Sequence, residues 1–322
     1  MSSPIAELLN TPIPKKLWHY TSILGFREIV SNKNIFATDV RFLNDREEFI
    51  HARKIVTEVL AQTPELDEGG FLNKEFLAKA VMLGFDSGPL ANTQVFVACF
   101  SAAEDQLGQW RGYSQASSGV SLGFDLRAFR PPANSDTLVS FAPCVYDTTK
   151  KEKLLLDALH HVKDEIAGYR ERIFRLACEL DPHKRTSSNR ETVVKEFLDA
   201  HPELRAPVEE FQVAVVKTRV DCMRIAALLK NSAFEEENEW RLVLPTLLKP
   251  QTPMKNPPQF RVAKTTLVPY IAHPFSVAPL PLVDVILGPG SDENALFAAQ
   301  GFLKSLGLEI EPRLSKVPYR AS

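Results

Sequence analysis

Apolar and polar residues alternate in the segment AFEEENEWRLVLP, residues 233–245. Alternation with period two is typical of a β-strand that buries one of its faces. On this pattern the apolar face carries Trp240, Leu242 and Leu244. The opposite face carries Glu237, Glu239, Arg241 and Val243. The pattern therefore predicts two carboxylates on the same side of a strand, directed either to solvent or into a polar cleft.

Other parts of the chain show either the same alternation or the spacing of apolar residues that is typical of helices. Runs of β-forming residues predict strands at LWHYTS (17–22), TQVFVACFS (93–101) and SGVSLGFDL (118–126). Apolar residues recur at helical spacing in LNDREEFIHARKIVTEVLAQ, residues 43–62, where Asn44 or Asp45 would cap the helix. Strands and helices in this mixture predict an α+β fold.

The middle of the chain has a different character. Residues from about 150 to 230 are charged, almost free of glycine, and patterned for helices, with Leu155, Leu159 and Val162 near one face. We interpret this stretch as a helical insertion within a single α+β domain that spans residues 1–322. A separate second domain is the alternative interpretation.

Composition narrows the class of protein. The chain has 322 residues, 44% of them apolar and 24% charged, with a formal net charge of -2. A dedicated nucleic-acid binder would usually carry a basic surplus, and no electrostatic feature suggests a membrane partner. The four cysteines are far apart and form no C-x-x-C pair, and the N-terminus does not read as a signal peptide. We therefore expect a cytoplasmic protein.

The strand LWHYTS places His19 and Thr21 on the same face. Side chains of these types can hydrogen-bond a sugar hydroxyl and an amide. A histidine at the edge of a core, bonded to a backbone carbonyl, explains the same residues without any ligand.

A second candidate group follows the strand that ends in ACFS. Ser101 is the last residue of that strand, and Trp110 and Tyr113 are three residues apart, which places them on one face of a helix. Aromatic side chains in such a position can stack on a flat ring. Packing within the core is the alternative for both.

The carboxylates of the opening segment are the third candidate group. A glutamate in a cleft can stabilise a sugar cation as its glycosidic bond breaks, and a neighbouring glutamate can orient or deprotonate the incoming nucleophile. Cross-strand ion pairs on a solvated face are the alternative for Glu237 and Glu239. A metal site built on Asp45, Glu47, Glu48 and Glu239 lacks histidines at ligand spacing, so we expect no metal.

Taken in order, several blocks resemble a bacterial family of uncharacterised domains. The blocks are LWHYTS, IFATDVRFLNDREE, ACFS followed by W-x-x-Y, GVSLGF, ENEWRLV, VILGP and LSKVPYR. They run from His19 to Arg320, although the helical stretch from about 150 to 215 contains none of them. That family is in turn similar to the ADP-ribosyltransferase superfold, which implies a split β-sheet core.

Enzymes of that superfold cleave NAD between nicotinamide and ribose and pass ADP-ribose to a target or to water. By resemblance, His19 and Thr21 would hold the adenosine-side ribose and the nicotinamide end of NAD. Ser101, or the pair Trp110 and Tyr113, would be the middle element that stacks on nicotinamide. Glu239 would be the catalytic glutamate, and Glu237 the upstream residue of an E-x-E pattern.

The resemblance thus implies an ADP-ribosyltransferase or NAD glycohydrolase that uses NAD as its substrate. The acceptor (protein, nucleic acid, small molecule or water) stays open, as does a role as toxin, phage-defence effector or regulator. A catalytically silent nucleotide-binding or sensing module is the alternative function. A metal-dependent hydrolase at the carboxylates is a third.

Overall fold

The computed structural model describes residues 4–43, 53–55, 57–59, 61, 93–113, 119–127, 139–158, 199–202, 205–247, 257–263, 266–275 and 279–318. These residues form an α+β fold with one large mixed sheet and several helices, which confirms the predicted class. Tyr113 ends a helix, but its side chain lies outside the described part. Asn44, Asp45, Glu47 and Glu48 also lie outside the described residues.

Ten strands of the described chain make up the sheet. They are β1 (Leu17–Ser22), β2 (Asn34–Asp39), β3 (Thr93–Ser101), β4 (Gly119–Phe124), β5 (Ser140–Pro143), β6 (Glu239–Leu247), β7 (Gln259–Ala263), β8 (Thr266–Pro274), β9 (Leu282–Leu287) and β10 (Arg313–Leu314). The helices with full bounds are α1 (Pro4–Leu9), α2 (Ile23–Asn32), α3 (Leu107–Tyr113), α4 (Arg205–Ala226) and α5 (Glu293–Ser305), and 3₁₀ turns cover Val40–Phe42 and Ser232–Glu237. The strands predicted at 17–22 and 93–101 are confirmed with these bounds, and the strand predicted at 118–126 is present as Gly119–Phe124.

The strands run in the order β10-β9-β4-β1-β3-β2-β8-β7. In addition, β6 pairs with β3 and β5 pairs with β6. Neighbouring strands are antiparallel except for β9 and β10, which are parallel. The strand β3 therefore has three partners, one more than the two edges of a strand normally provide.

The third partner is accommodated by a split in the sheet. Because β6 pairs with β3 along the whole of Thr93–Ser101, β1 and β2 must share the opposite edge of β3. β1 meets that edge only where Trp18 pairs with Ser101, and β2 meets it where Thr38 pairs with Val97. Between these two points no described strand pairs with this edge of β3, and we call the unpaired stretch at residues 98–100 the gap.

Helices cover both faces of the sheet near the gap. On one face, α2 and α5 bury a large apolar cluster that includes Phe100 and Trp240. On the other face, α4 packs on β3 and β6, where Met223 contacts a cluster that includes Val97 and Val243. Residues 148–158 and α4 are helical, but the predicted extent of a single domain with an insertion at about 150–230 stays a prediction. No helix among the described ranges is long and apolar enough to cross a membrane.

One close backbone approach in this sheet predicts a large effect of a single methyl group. A Cβ atom at Gly123 of β4 would lie 2.8 Å from Cζ3 of Trp18 and 3.0 Å from Cβ of Asp284. Trp18 is buried and cannot move away cheaply. We expect Gly123→Ala to lower the free energy of unfolding by about 1–3 kcal/mol in denaturant titrations, because overpacking forces neighbours off their preferred rotamers.

Gly301→Ala is the matched control, because nothing lies within 4 Å of the methyl group it would add on α5. Alanine is the better helix former, so this variant is expected to be as stable as the wild type or up to about 1 kcal/mol more stable. Equal losses of stability in the two variants would contradict the close approach at Gly123.

Candidate functional site

The ring of His19 lies in the gap. Its Nδ1 is 2.8 Å from the carbonyl oxygen of Cys99, so Nδ1 carries the proton and donates. Burial lowers the pKa of His19 to about 4, more than the bond to Cys99 raises it, and the positive charge of Arg261 lowers it further. The imidazole is therefore neutral at pH 7, and its Nε2 is a hydrogen-bond acceptor.

Thr21 is directed to the start of α2 rather than to the late strand β6. Ser22 caps that helix by accepting a 3.1 Å hydrogen bond from the Gly25 amide. A Cβ atom at Gly25 would lie 2.1 Å from Oγ1 of Thr21, so only glycine fits beneath this hydroxyl. The side chain of Thr21 thus packs on the first turn of α2.

Ser101 and Trp110 both have partners within the protein. The Ser101 hydroxyl donates to the carbonyl oxygen of Glu237 at 2.7 Å and accepts from the Ala103 amide at 3.0 Å. The Trp110 ring is 1% exposed and stands edge-on to Tyr20, with centroids 4.9 Å apart. Its Nε1 donates to Asp105 at 2.7 Å. Both side chains are thus bonded within the protein, and the Trp110 ring also packs in the core.

Glu237 is not on the strand, which corrects the period-two prediction for this residue. It ends the 3₁₀ turn Ser232–Glu237, and the next residue, Asn238, is left-handed with φ 43°. Asparagine tolerates this backbone region better than most residues. β6 begins only at Glu239, so the alternation holds from that residue onward.

The two carboxylates nevertheless meet at one cation. The Lys230 ammonium donates to Glu237 at 2.6 Å and also to Glu239. Arg241 donates to Glu239 from Nε at 2.8 Å and from Nη2 at 3.2 Å. Its Nη1 donates to the carbonyl oxygen of Ala227, just after α4. We call Lys230, Glu237, Glu239 and Arg241 the charge cluster.

The charge cluster is buried and balanced. Glu239 and Arg241 are each 3% exposed, and two cations face two carboxylates. Burial raises the pKa of Glu239, but the charges of Arg241 and Lys230 outweigh burial and hold that pKa at about 2. Glu239 therefore stays ionised at every physiological pH. Burial, followed by the charge of Glu239, raises the pKa of the nearby Cys99 thiol well above its usual value.

Glu239 and His19 leave the sheet on opposite faces. Glu239 is in register with Ser101, which is in register with Trp18, so these side chains share one face. His19 is the next residue on β1, and its ring lies 5.6 Å from that of Phe100 on the other face. The structure thus brings Glu237 and Glu239 together, but it does not bring either to His19.

Sequence reasoning missed the residues that bind Glu239, because they are distant in the chain or belong to no recognisable sequence pattern. Lys230 is a lone lysine before a turn, and Tyr146 accepts a 2.9 Å hydrogen bond from the Glu239 amide. Among the described residues no group of three His, Cys, Asp or Glu side chains is placed to hold a metal ion.

Comparison with known proteins supports a family relationship for part of the chain. Residues 109–242 match a family model described as a protein of unknown function, DUF2971. The matched range runs from α3 into β6 and includes Glu239 and Arg241. No curated protein matches the chain, and no solved structure does. A domain similar to an uncharacterised family is thus found, and the wider block pattern and the ADP-ribosyltransferase resemblance stay predictions.

Proposed function

We propose that this protein binds NAD at the gap and cleaves its nicotinamide–ribose bond. The observation that carries the proposal is the separation of β1 and β2 along one edge of β3, with a neutral His19 between them. This arrangement is compatible with the split core that the resemblance implies. His19 Nε2 can accept a hydrogen bond from a ribose hydroxyl, which is the role that the resemblance assigns to it.

The reaction breaks the bond between the ribose C1′ and the pyridinium nitrogen, and the bonding electron pair stays on nicotinamide. A nucleophile, water in the simplest case, forms the new bond to C1′ and loses a proton. The ionised carboxylate of Glu239 can stabilise the positive charge that develops on the sugar. Two strand spacings of about 4.8 Å separate β1 from β6. Because His19 and Glu239 lie on opposite faces of the sheet, one dinucleotide contacts both only if it passes through the gap between β1 and β2.

A silent nucleotide-binding module is the second candidate, and the charge cluster favours it. Glu239 is almost fully buried and already bonded by Arg241 and Lys230. For turnover, Glu239 must exchange one of these partners for substrate. A binding module has no such requirement.

The deciding experiment measures nicotinamide release from NAD by the full chain, with and without cell lysate as a source of acceptors. We expect release by the wild type and a loss of about a hundredfold or more in Glu239→Gln, since a neutral amide cannot stabilise the sugar cation. Glu235→Gln is the matched control, because Glu235 is an exposed glutamate of the neighbouring 3₁₀ turn, and it should retain most of the activity.

Circular dichroism at the assay temperature must show that both variants are folded. If the wild type binds NAD but releases no nicotinamide under any condition, the enzyme hypothesis fails and the binding module is the remaining candidate. Absence of both binding and release would overturn both candidates.

A further inference from the structure

Arg261 differs from three other arginines that lie on a strand or shortly after one. Arg41 pairs with Asp39, Arg127 pairs with Asp125 and Arg241 pairs with Glu239. Each of these arginines thus has a carboxylate two residues earlier in the chain. Arg261 has Gln259 at that position, and no carboxylate in the described ranges forms an ion pair with it.

Two weaker contacts hold the Arg261 side chain in place. Its Nη2 donates to the hydroxyl of Thr38 at 2.9 Å, and its guanidinium carbon lies 5.9 Å from the centre of the Tyr270 ring. The residue as a whole is exposed, yet its guanidinium is partly desolvated, which lowers the pKa of Arg261 below its usual value. A positioned guanidinium without a carboxylate partner retains donors for a ligand.

These contacts place Arg261 beside the gap. Thr38 is the residue at which β2 meets β3, so the guanidinium lies at the β2 side of the gap. The positive charge of Arg261 also acts on His19. Thr38 is in register with Val97 on the α4 face, whereas the His19 ring lies by Phe100 on the other face. A cation with available donors and a neutral imidazole acceptor therefore border the gap from its two sides.

We propose that Arg261 is an anion-binding residue and that the ligand at the gap is a phosphate ester whose sugar hydroxyl donates to His19. Guanidinium groups bind phosphate oxygens through charge-assisted hydrogen bonds. A neutral imidazole nitrogen accepts from a hydroxyl but has nothing to offer an anion. Resting on the proposed function, this inference assigns Arg261 to the diphosphate of the dinucleotide.

Calorimetric titration with two probes tests the assignment: adenosine diphosphate, which carries sugar and phosphate, and inorganic diphosphate, which carries no sugar. Arg261→Met keeps an apolar stem against Tyr270 but removes the charge. We expect it to weaken the binding of both probes about tenfold to a hundredfold, the range of a lost charge-assisted hydrogen bond. Arg127→Met is the matched control, because Arg127 is bound to Asp125, and it should bind both probes as the wild type does.

His19→Phe separates the two halves of the site, since phenylalanine keeps a ring without an acceptor nitrogen. We expect weaker binding of adenosine diphosphate and unchanged binding of inorganic diphosphate. Equal losses for both probes would overturn the role of His19 as a hydroxyl acceptor. Thermal melting of every variant shows whether the fold is intact.

Two results would overturn the anion site itself: a wild type that binds neither probe, or an Arg261→Met variant that binds both as tightly as the wild type. The proposed function fails separately. A protein that binds adenosine diphosphate through Arg261 but releases no nicotinamide has the anion site without the reaction. If Arg261→Met releases nicotinamide as fast as the wild type does, the protein catalyses the reaction without using Arg261 as an anion-binding residue.

Discussion

Glu239→Gln is expected to lower the free energy of unfolding by about 3–5 kcal/mol, the range found when one partner of a buried ion pair is removed. The substitution leaves Arg241 and Lys230 facing a neutral amide in place of a buried carboxylate. An amide also offers one acceptor oxygen where the carboxylate offered two. Urea titration of the full chain measures this loss.

Glu237→Gln is the matched control at the other end of the charge cluster. The Glu237 side chain is 18% exposed, whereas that of Glu239 is 3% exposed, so we expect a smaller loss than for Glu239→Gln. If both variants lose the same stability, burial of the charge cluster is not what makes Glu239 important.

Acid titration supplies a second readout for the same variant. The pKa of Glu239 is lowered from its ordinary value of 4.5 to about 2 in the folded protein. The stability that its ionisation contributes is therefore fully present above about pH 4.5 and is lost as the pH falls toward 2. We expect a shallower loss of stability in this interval for Glu239→Gln than for the wild type. Parallel curves would mean that the carboxylate is not held ionised by its neighbours.

Trp110→Ala is the second substitution with a large expected effect. Removing a buried tryptophan ring costs about 3–5 kcal/mol through lost transfer energy and a remaining cavity. Here the ring also supports Tyr20, whose hydroxyl bridges the Ala103 carbonyl and the Gln106 amide. Denaturant titration of the variant measures the loss of stability.

Trp110→Phe separates packing from hydrogen bonding. Phenylalanine keeps a ring against Tyr20 but does not donate to Asp105, so the expected cost is about 1–2 kcal/mol. Asp105 still accepts from the Ser315 hydroxyl at 2.6 Å and the Lys316 amide at 2.7 Å, so residues 313–318 should remain protected from hydrogen exchange. A Trp110→Ala variant that keeps its stability but loses NAD binding would instead place this ring against the ligand.

Sequence periodicity is a good guide to this fold where neighbouring residues decide the structure. The alternation after residue 238 correctly placed Trp240, Leu242 and Leu244 on the apolar face of β6. It failed at Glu237 because one left-handed residue, Asn238, breaks the alternation. Asparagine occurs in turns next to strands and also within regular secondary structure. Its presence in the sequence therefore does not show where the alternation breaks.

The charged face of β6 was harder to predict, because contacts from distant parts of the chain decide its environment. Periodicity offered solvent or a polar cleft for Glu239 and Arg241. The structure instead covers this face with α4 and brings in Lys230 from the turn that follows it. Which helix covers which face depends on long-range packing, and no local pattern around residue 239 contains that information. Arg261 was missed for the same reason, since only the β7–β8 hairpin brings it to the gap.

The left-handed conformation of Asn238 bears on how paired acidic motifs are interpreted in other chains. Two glutamates separated by one residue share a strand face when the intervening residue is extended, and they then compete for whatever lies in front of them. When that residue is left-handed, the first glutamate approaches from a turn and the second from a strand, and a single ammonium can bind both, as Lys230 does. An E-x-E pattern with asparagine or glycine in the middle therefore describes two different geometries. The identity of the middle residue should be read before either glutamate is assigned a catalytic role.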